Sequence, residues 1–307
     1  MTDTNKKILE LINENRSMKE IAKLINISEK QLFVRIKQII NNGYQLVPNY
    51  SNNSEIYYRV VYRDIVKNNK INIAMPKAKN FRCLIYSDLH VGNRNSDIKL
   101  LNYLYEYASK NGINYILNCG DIIEGDYTTD KKSIKSFEDQ TETFLKKHPY
   151  DRNINEILIL GNHDHYHFKN NGYDVSEKIK NSRYDIVPIG YGQGNVNLRN
   201  DSLILFHKLA EDSKPVIQSN EKIILSGHGH MMKTKLKDQL WLCIPTLSYV
   251  STDKTKDIVP GFVDLSIDFE KGKFEYIEAK HLILNPNIIL VSESRSRVKR
   301  LEMNKEN

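Results

Sequence analysis

Nine side chains suited to metal binding or acid–base chemistry stand directly after short apolar runs of the sequence. The apolar runs cover residues 83–87, 115–119, 157–160, 203–206 and 223–226. The side chains that follow them are Asp88, His90, Asp121, Asn162, His163, Asp164, His207, His228 and His230. Carboxylate, imidazole and amide donors together suit divalent ions of intermediate hardness, such as Mn²⁺, Fe²⁺ and Zn²⁺. The pattern therefore predicts a metal centre.

The apolar runs also predict where that centre lies in the fold. Runs of four or five apolar residues have the length of buried strands, so each polar cluster would follow the carboxyl end of a strand. Open α/β sheets place their sites at that edge. A single Asp-x-His pair is weak evidence, whereas five clusters in succession are improbable by chance. We therefore expect an α/β fold in which five loops surround one pocket.

Composition limits the class of protein. The chain has 307 residues, of which 40% are hydrophobic and 27% charged, enough for a buried core in one large domain or two unequal ones. Its three cysteines, Cys83, Cys119 and Cys243, are far apart and include no CxxC pair. This spacing argues against a disulfide framework or a cysteine-rich zinc module and favours a reducing compartment. No apolar run reaches the ~18 residues of a membrane span, so we expect a cytoplasmic protein.

Charge and histidine divide the chain into different regions. Residues 1–80 hold 14 Lys and Arg against 7 Asp and Glu, whereas residues 81–285 hold 26 against 28. All nine histidines lie between His90 and His281. The distribution predicts a basic front module without histidine and a histidine-rich module that carries the chemistry. A basic terminal region indicates a polyanionic partner such as nucleic acid, or only solubility.

The front module, residues 1–64, has the pattern of three short helices followed by a hairpin. Ser17 with Glu20 and Ser28 with Gln31 have the spacing of capping boxes, which begin helices. Two strand-like runs follow the third helix and are joined by a turn-rich segment. This order resembles a winged helix-turn-helix domain and implies DNA as a partner.

In that arrangement the third helix would lie in the major groove and the second strand would reach the phosphate backbone. The candidate DNA contacts are Lys30, Gln31, Arg35, Lys37, Arg59 and Arg63. The alternative is a module for protein docking or dimerisation, because its net charge is modest.

The remaining boundaries follow from composition. Residues 65–80 are rich in Asn and Lys, include a proline and predict a linker. Residues 81–285 form the chemical module, within which residues 169–200 predict a long loop or cap over the pocket. Residues 286–307 predict a basic tail.

The series of polar clusters resembles the calcineurin-like metallophosphoesterases over about residues 81–285. The resemblance implies a β-sandwich flanked by helices, here preceded by the small winged helix-turn-helix domain, with two divalent metal ions at the strand ends. By this resemblance, Asp88, His90 and His230 bind the first metal, Asn162, His207 and His228 bind the second, and Asp121 bridges them. His163 would lie just outside the metals, on the phosphate.

These implied roles are physically consistent. Two cations close together repel each other, so a carboxylate between them is needed. His163 can protonate a leaving oxygen, and Asp164 can orient its imidazole as outer carboxylates often do. Manganese is the expected metal, with Fe²⁺ or Zn²⁺ as alternatives.

Three functions remain open at this point. Residues 120–125 lack the arginine that grips phosphate in the phosphoprotein phosphatases, which favours the phosphodiesterase and nuclease branches. The first function is therefore a two-metal phosphodiesterase directed to DNA. The second is a small-molecule phosphatase or phosphodiesterase whose front module docks or dimerises, and the third is a DNA-binding regulator whose phosphoesterase-like domain senses a nucleotide.

Overall fold

The chain forms two structural units in a computed structural model, Met1–Val66 and Lys67–Asn307. The structure describes residues 2–41, 45–50, 55–61, 69–73, 79–126, 133–134, 136–218, 220–250, 260–285, 287–288 and 290–299. Among these residues, no helix has the length and hydrophobicity needed to cross a bilayer.

The first unit contains three helices and a hairpin. They are α1 (Asp3–Asn13), α2 (Met18–Leu24), α3 (Glu29–Asn41), β1 (Gln45–Tyr50) and β2 (Ile56–Val61). Ser17 and Glu20 form the predicted capping box of α2, with the Ser17 N–H donating to Glu20 Oε2 at 2.8 Å. Ile8, Ile21 and Leu32 are completely buried and join the three helices in one small core.

The second unit is an α/β fold with two mixed sheets. Its helices are α4 (Ile98–Lys110), α5 (Phe137–Lys147), α6 (Asn162–Asn171) and α7 (Val175–Ser182). Its strands are β3 (Lys70–Ile73), β4 (Asn80–Tyr86), β5 (Tyr115–Asn118), β6 (Asn155–Leu160), β7 (Ile186–Tyr191), β8 (Gln193–Leu198), β9 (Asp201–Phe206), β10 (Glu221–Ser226), β11 (Lys233–Leu236), β12 (Leu240–Cys243), β13 (Gly261–Glu270), β14 (Lys273–Leu284) and β15 (Leu290–Lys299).

Strand order explains why one edge of this unit can hold a site. Within the described residues, one sheet has the order β11-β12-β10-β9-β8-β3 and the other β15-β14-β13-β4-β5-β6-β7. Strands β4, β5 and β6 are parallel neighbours in the larger sheet, and β9 and β10 are parallel neighbours in the smaller sheet. The sheets meet where β8 and β9 contact β6. Side chains of α4, α5 and α7 pack with the larger sheet in one apolar cluster.

Three segments differ from the sequence-based expectation. Part of the predicted linker forms β3, which pairs in parallel with β8 and buries Ile71 and Ile73. The predicted basic tail contains β15, paired with β14, and its alternating charges suit an exposed edge strand. The predicted cap, residues 169–200, contains α7 and two strands instead of a long loop; β7 pairs with β6 and β8 pairs with β9.

A buried polar network centred on Glu156 of β6 joins the larger sheet to α4 and to the end of α5. Its carboxylate accepts hydrogen bonds from Tyr86 Oη at 2.7 Å, Tyr105 Oη at 3.0 Å and Asn118 Nδ2 at 3.3 Å, and His148 Nε2 lies 2.9 Å away. Burial alone would raise the pKa of Glu156, but His148 and the two tyrosine hydroxyls outweigh it and lower that pKa. Glu156 is therefore an anion with a complete set of partners.

Glu156→Leu should lower the free energy of unfolding at pH 7 by about 3–5 kcal/mol, because it leaves these partners buried and unpaired. Since the pKa of Glu156 is lower in the folded chain, its stabilisation is present above the unfolded-state pKa of about 4.3 and is lost as the pH falls through the folded value. Urea unfolding at several pH values measures both effects. The control Glu106→Leu removes an exposed pair with Lys110 and should cost no more than about 0.5 kcal/mol; equal losses would contradict the role of Glu156.

Candidate metal centre

The polar residues predicted from sequence come together at one edge of the two sheets. Asp88 and His90 follow β4, Asp121 follows β5, and Asn162 and His163 begin α6 directly after β6. From the other sheet, His207 follows β9 and the pair His228 and His230 follows β10. The convergence of five loops is thus a property of the fold.

Asp88, His90 and His230 form a first group of donors. His230 Nε2 lies 3.3 Å from Asp88 Oδ1 and 3.3 Å from His90 Nε2. Asp88 Oδ2 accepts the backbone N–H of His228 at 3.1 Å, and the buried Oδ1 makes no hydrogen bond of good geometry in the described structure, its neighbours being the imidazoles of His230 and His90. An anionic oxygen in that state is destabilising unless a cation binds it.

Asp121, Asn162, His207 and His228 form a second group. His207 Nε2 lies 3.0 Å from Asp121 Oδ2 and 3.0 Å from Asn162 Oδ1, and His228 Nδ1 also lies 3.0 Å from Asn162 Oδ1. Asp121 belongs to a further cluster with His90 and His163, so its carboxylate lies between the two groups. A carboxylate in this position could contact a cation in each group.

Backbone carbonyls orient three of the imidazoles. The Nδ1 atoms of His207, His230 and His163 lie 2.7 Å from Cys119 O, 2.8 Å from Val250 O and 2.6 Å from Glu124 O. A carbonyl only accepts, so each Nδ1 carries a proton, and each Nε2 remains to bind a cation or a second proton. The Nε2 atoms of His207 and His230 then face the donors of their groups.

The backbone of the site is held in an unusual conformation. Asp88, His90, Asp121, His228 and His230 have φ angles of +55°, +51°, +56°, +71° and +47°. The left-handed region is unfavourable for residues other than glycine and costs on the order of 1–3 kcal/mol per residue. Such strain clusters at functional sites, and here it is found at five of the seven predicted ligands.

Two glycines allow the loops to approach each other. A Cβ atom at Gly161 would lie 2.1 Å from Asp121 Oδ1, and one at Gly227 would lie 2.1 Å from Ser87 Oγ and 2.9 Å from His207 Nδ1. A side chain at either position would occupy the space of a predicted ligand or its support.

The charges at the site favour cation binding. His230 lowers the pKa of Asp88 to about 2 against the effect of burial, and histidine neighbours likewise hold the pKa of Asp121 well below its usual range. Burial lowers the pKa of His207, but the Asp121 carboxylate outweighs it and raises that pKa to about 9. The carboxylates around the His207 imidazole thus favour a positive charge there, carried by either a proton or a metal ion.

Asp164 does not take the role predicted for it. Its carboxylate is buried and accepts backbone N–H groups of Gly161 at 2.8 Å, Asp121 at 3.0 Å, Ile122 at 3.1 Å and Ile123 at 3.0 Å. It therefore anchors the loop that carries Asp121, while the Glu124 carbonyl orients the His163 imidazole.

Glu124 is the site residue that sequence reasoning missed. It is buried, and its Oε2 lies 3.0 Å from His90 Nδ1, so its carboxylate faces the side of the ring that points away from His230. A glutamate directly after the apolar pair Ile122 and Ile123 was the available signal.

The candidate DNA-contact residues differ in their exposure and in their position in the fold. On α3, Lys30 and Lys37 are exposed and Arg35 is half-buried. Gln31 caps the start of the helix, where its Oε1 accepts the Ser28 N–H at 2.9 Å. Arg59 lies in β2, and Arg63 lies outside the described residues.

The donors present fit two divalent cations. Asp88, His90 and His230 would hold one, Asn162, His207 and His228 would hold the other, and Asp121 would contact both. The fit rests on the buried Asp88 Oδ1, which makes no hydrogen bond of good geometry, and on imidazoles whose Nδ1 proton is held away from the centre. Mixed nitrogen and oxygen donors are typical of Mn²⁺, Fe²⁺ and Zn²⁺ sites.

The comparison with protein families agrees with this site. The model of the calcineurin-like phosphoesterase family matches residues 81–242, more than half of the chain. The chain therefore belongs to the calcineurin-like phosphoesterase family.

Several solved structures are similar to this chain at low identity. Vps29 of Chaetomium thermophilum shares 11% identity with a TM-score of 0.43, covering 72% of this chain and 99% of that one. Yfce, a phosphoesterase from E. coli, shares 13% with a TM-score of 0.42 over 70% and 98% of the two chains. Pseudomonas putida nuclease MPE shares 14% with a TM-score of 0.31 over 71% and 96%. No curated protein sequence gives a significant match.

Proposed function

We propose that this chain is a two-metal phosphoesterase that hydrolyses phosphodiester bonds in nucleic acid. The observation that carries the proposal is the convergence of seven side chains with potential metal-donor atoms from five strand ends, with the Asp121 carboxylate between the two groups. Two bound cations would supply an acidified water and neutralise the charge of the phosphate oxygens.

Side chains would position the metal donors and transfer the proton to the leaving group. Asp121, fixed by the N–H of His163 at 3.0 Å and by the Asp164 anchor, positions both groups of donors. His163 is partly exposed, and its Nε2 lies 3.9 Å from Asp121 Oδ2, so the ring borders the centre on its open side. Because the Glu124 carbonyl holds the Nδ1 side of the ring, Nε2 faces the centre, and in the doubly protonated ring it would donate its proton to the leaving oxygen.

Hydrolysis should require added metal, and Mn²⁺ should serve at least as well as Mg²⁺, because Mg²⁺ prefers all-oxygen ligands. The measurement is turnover of bis(p-nitrophenyl) phosphate after chelation and after return of each metal. The same panel should include p-nitrophenyl phosphate, cyclic nucleotides and single- and double-stranded DNA. Full activity after chelation, with no metal found by elemental analysis, would refute the proposal.

The panel also separates the alternatives. Turnover of small esters with indifference to DNA would support the small-molecule enzyme, and sequence-specific DNA binding without turnover would support the nucleotide-sensing regulator. Cleavage of DNA supports the nuclease-like function proposed here.

We further propose that the first unit binds duplex DNA as a winged helix-turn-helix domain. Three helices with a hairpin support this, as does the exposure of Lys30 and Lys37 beside Arg35 on α3. These cations are placed to contact phosphates, which supply much of the affinity for DNA.

Arg35→Ala combined with Lys37→Ala in the full chain should weaken duplex binding and lower the salt slope by roughly 0.9 for each phosphate that the variant no longer neutralises. Lys6→Ala with Lys7→Ala is the matched control, because it removes the same charge from α1. Fluorescence anisotropy at several salt concentrations measures both. Equal slopes for the two variants would favour docking or dimerisation as the role of this unit.

A further inference from the structure

A cavity of about 340 Å³ adjoins the metal centre and shares His228 with it. Its walls include Phe206, Met231, Trp241 and Cys243, and Lys208 and Lys214 line its rim. No role in the centre described above uses these residues. The cavity thus offers an apolar surface directly beside the place where a phosphate would be cleaved.

Strand register places the aromatic wall on one face of the smaller sheet. Ile204, Ile224 and Trp241 are paired across β9, β10 and β12, and so are Phe206, Ser226 and Cys243 one row further on. On β12, Leu240 and Leu242 are buried, while Trp241 and Cys243 on the opposite face are half-buried. The indole therefore packs on the cluster of Ile204, Phe206 and Ile224 and still presents surface to the cavity.

The segment after β9 forms the other side of the cavity. Lys208 Nζ donates to the carbonyl of Glu211 at 3.1 Å, and Ser213 Oγ accepts the Ala210 N–H at 3.0 Å, so a local turn holds the segment in place. An ammonium has three donors, so Lys208 can also contact a phosphate. Glu211 and Asp212 on the same rim can accept hydrogen bonds from amino groups.

We propose that this cavity binds the nucleobase next to the phosphate that is cleaved. The inference rests on the proposed function and names the chemical class of its substrate. An aromatic wall suits a planar ring, because base stacking on aromatic side chains is favourable for every base. The volume is near the lower end of ligand pockets, ~300–1,000 Å³, which suits one base and not a base pair. The base must therefore be unpaired, in a free nucleotide or in a single strand.

Trp241 makes the proposal directly measurable, because it is the single tryptophan of the chain. Its fluorescence in the metal-loaded full chain should change on titration with dAMP and not with deoxyribose 5-phosphate, which lacks the base. A response to both dAMP and a single-stranded oligonucleotide supports a site for any nucleotide, and a response to the oligonucleotide alone supports a site in nucleic acid. No response to either, or an equal response to deoxyribose 5-phosphate, would overturn the proposal.

A second test separates this inference from the proposed function. Trp241→Ala should raise the KM for thymidine 5′-(p-nitrophenyl phosphate) by roughly 5- to 150-fold, the value of one stacked base, with kcat little changed. Trp241→Phe should keep most of the affinity, and methyl p-nitrophenyl phosphate, which has no base, should show whether each variant is folded and active.

If the methyl ester is hydrolysed but Trp241→Ala leaves the KM of the nucleotide ester unchanged, the base site is refuted and the phosphoesterase stands. If neither ester is hydrolysed by the wild type, the proposed function fails, and the fluorescence titration alone decides whether the cavity binds a base.

Discussion

Asp121→Asn should abolish hydrolysis and lower metal affinity by more than ~100-fold, since even residues that only support a ligand cost 10–100-fold. The substitution keeps the shape of the side chain and removes the charge between the two groups of donors. Asp121 Oδ2 lies 3.0 Å from His207 Nε2, and its carboxylate also clusters with His90 and His163. Isothermal titration with Mn²⁺ measures the affinity independently of turnover.

His163→Ala is the control for that experiment. This imidazole lies at the rim of the centre, so the variant should bind metal normally and lose roughly 10²–10⁴-fold in rate, the contribution of an acid–base group. If His163→Ala loses metal as completely as Asp121→Asn, then His163 is a ligand and the assignment of roles is wrong.

Gly161→Ala should, like Asp121→Asn, lower both the rate of hydrolysis and the affinity for metal, although it removes no ligand. The backbone of Gly161 has φ −90° and ψ −165°, which alanine also adopts, so only the space for the methyl group is at issue. That methyl would lie 2.1 Å from Asp121 Oδ1 and 2.8 Å from Asp121 N. Either the carboxylate or the α6 end must move, and a displacement of about 1 Å at a reacting centre costs on the order of 10²-fold in rate.

Gly229→Ala provides the matched control at the same centre. Gly229 lies between His228 and His230, but a Cβ atom there meets nothing closer than Met231 Cγ at 3.5 Å. The Gly229→Ala variant should bind Mn²⁺ with nearly wild-type affinity, whereas Gly161→Ala should bind Mn²⁺ weakly. The free energy of unfolding of Gly161→Ala should also be lower by about 1–3 kcal/mol, the usual cost of overpacking. Equal Mn²⁺ affinity in the two variants would contradict this prediction, because it would show that the loop of Asp121 can move to accept the methyl group without weakening metal binding.

The contrast between Asp164 and Glu124 shows a limit of local sequence reasoning. Asp164 is adjacent to His163 in the chain, so it was the natural partner for that imidazole. Both residues are on α6, where successive side chains point about 100° apart. Asp164 therefore faces the loop of residues 121–123, and the carbonyl of Glu124 reaches His163 from another strand end.

The residue types and their spacing were sufficient to predict the donor residues and the ends of the strands and helices that carry them. Apolar runs followed by Asp, Asn or His indicated the strand ends and the seven donors, and Ser17 with Glu20 indicated a helix start. Tertiary structure decided what depends on distant partners. Ile71 and Ile73 form a strand because β8, more than a hundred residues later, supplies the pairing and the cover. The left-handed backbone at Asp88 and Asp121, the place of Glu124 against His90, and the cavity beside Trp241 likewise arise only where two sheets bring separate loops together, because long-range packing can outweigh local preference.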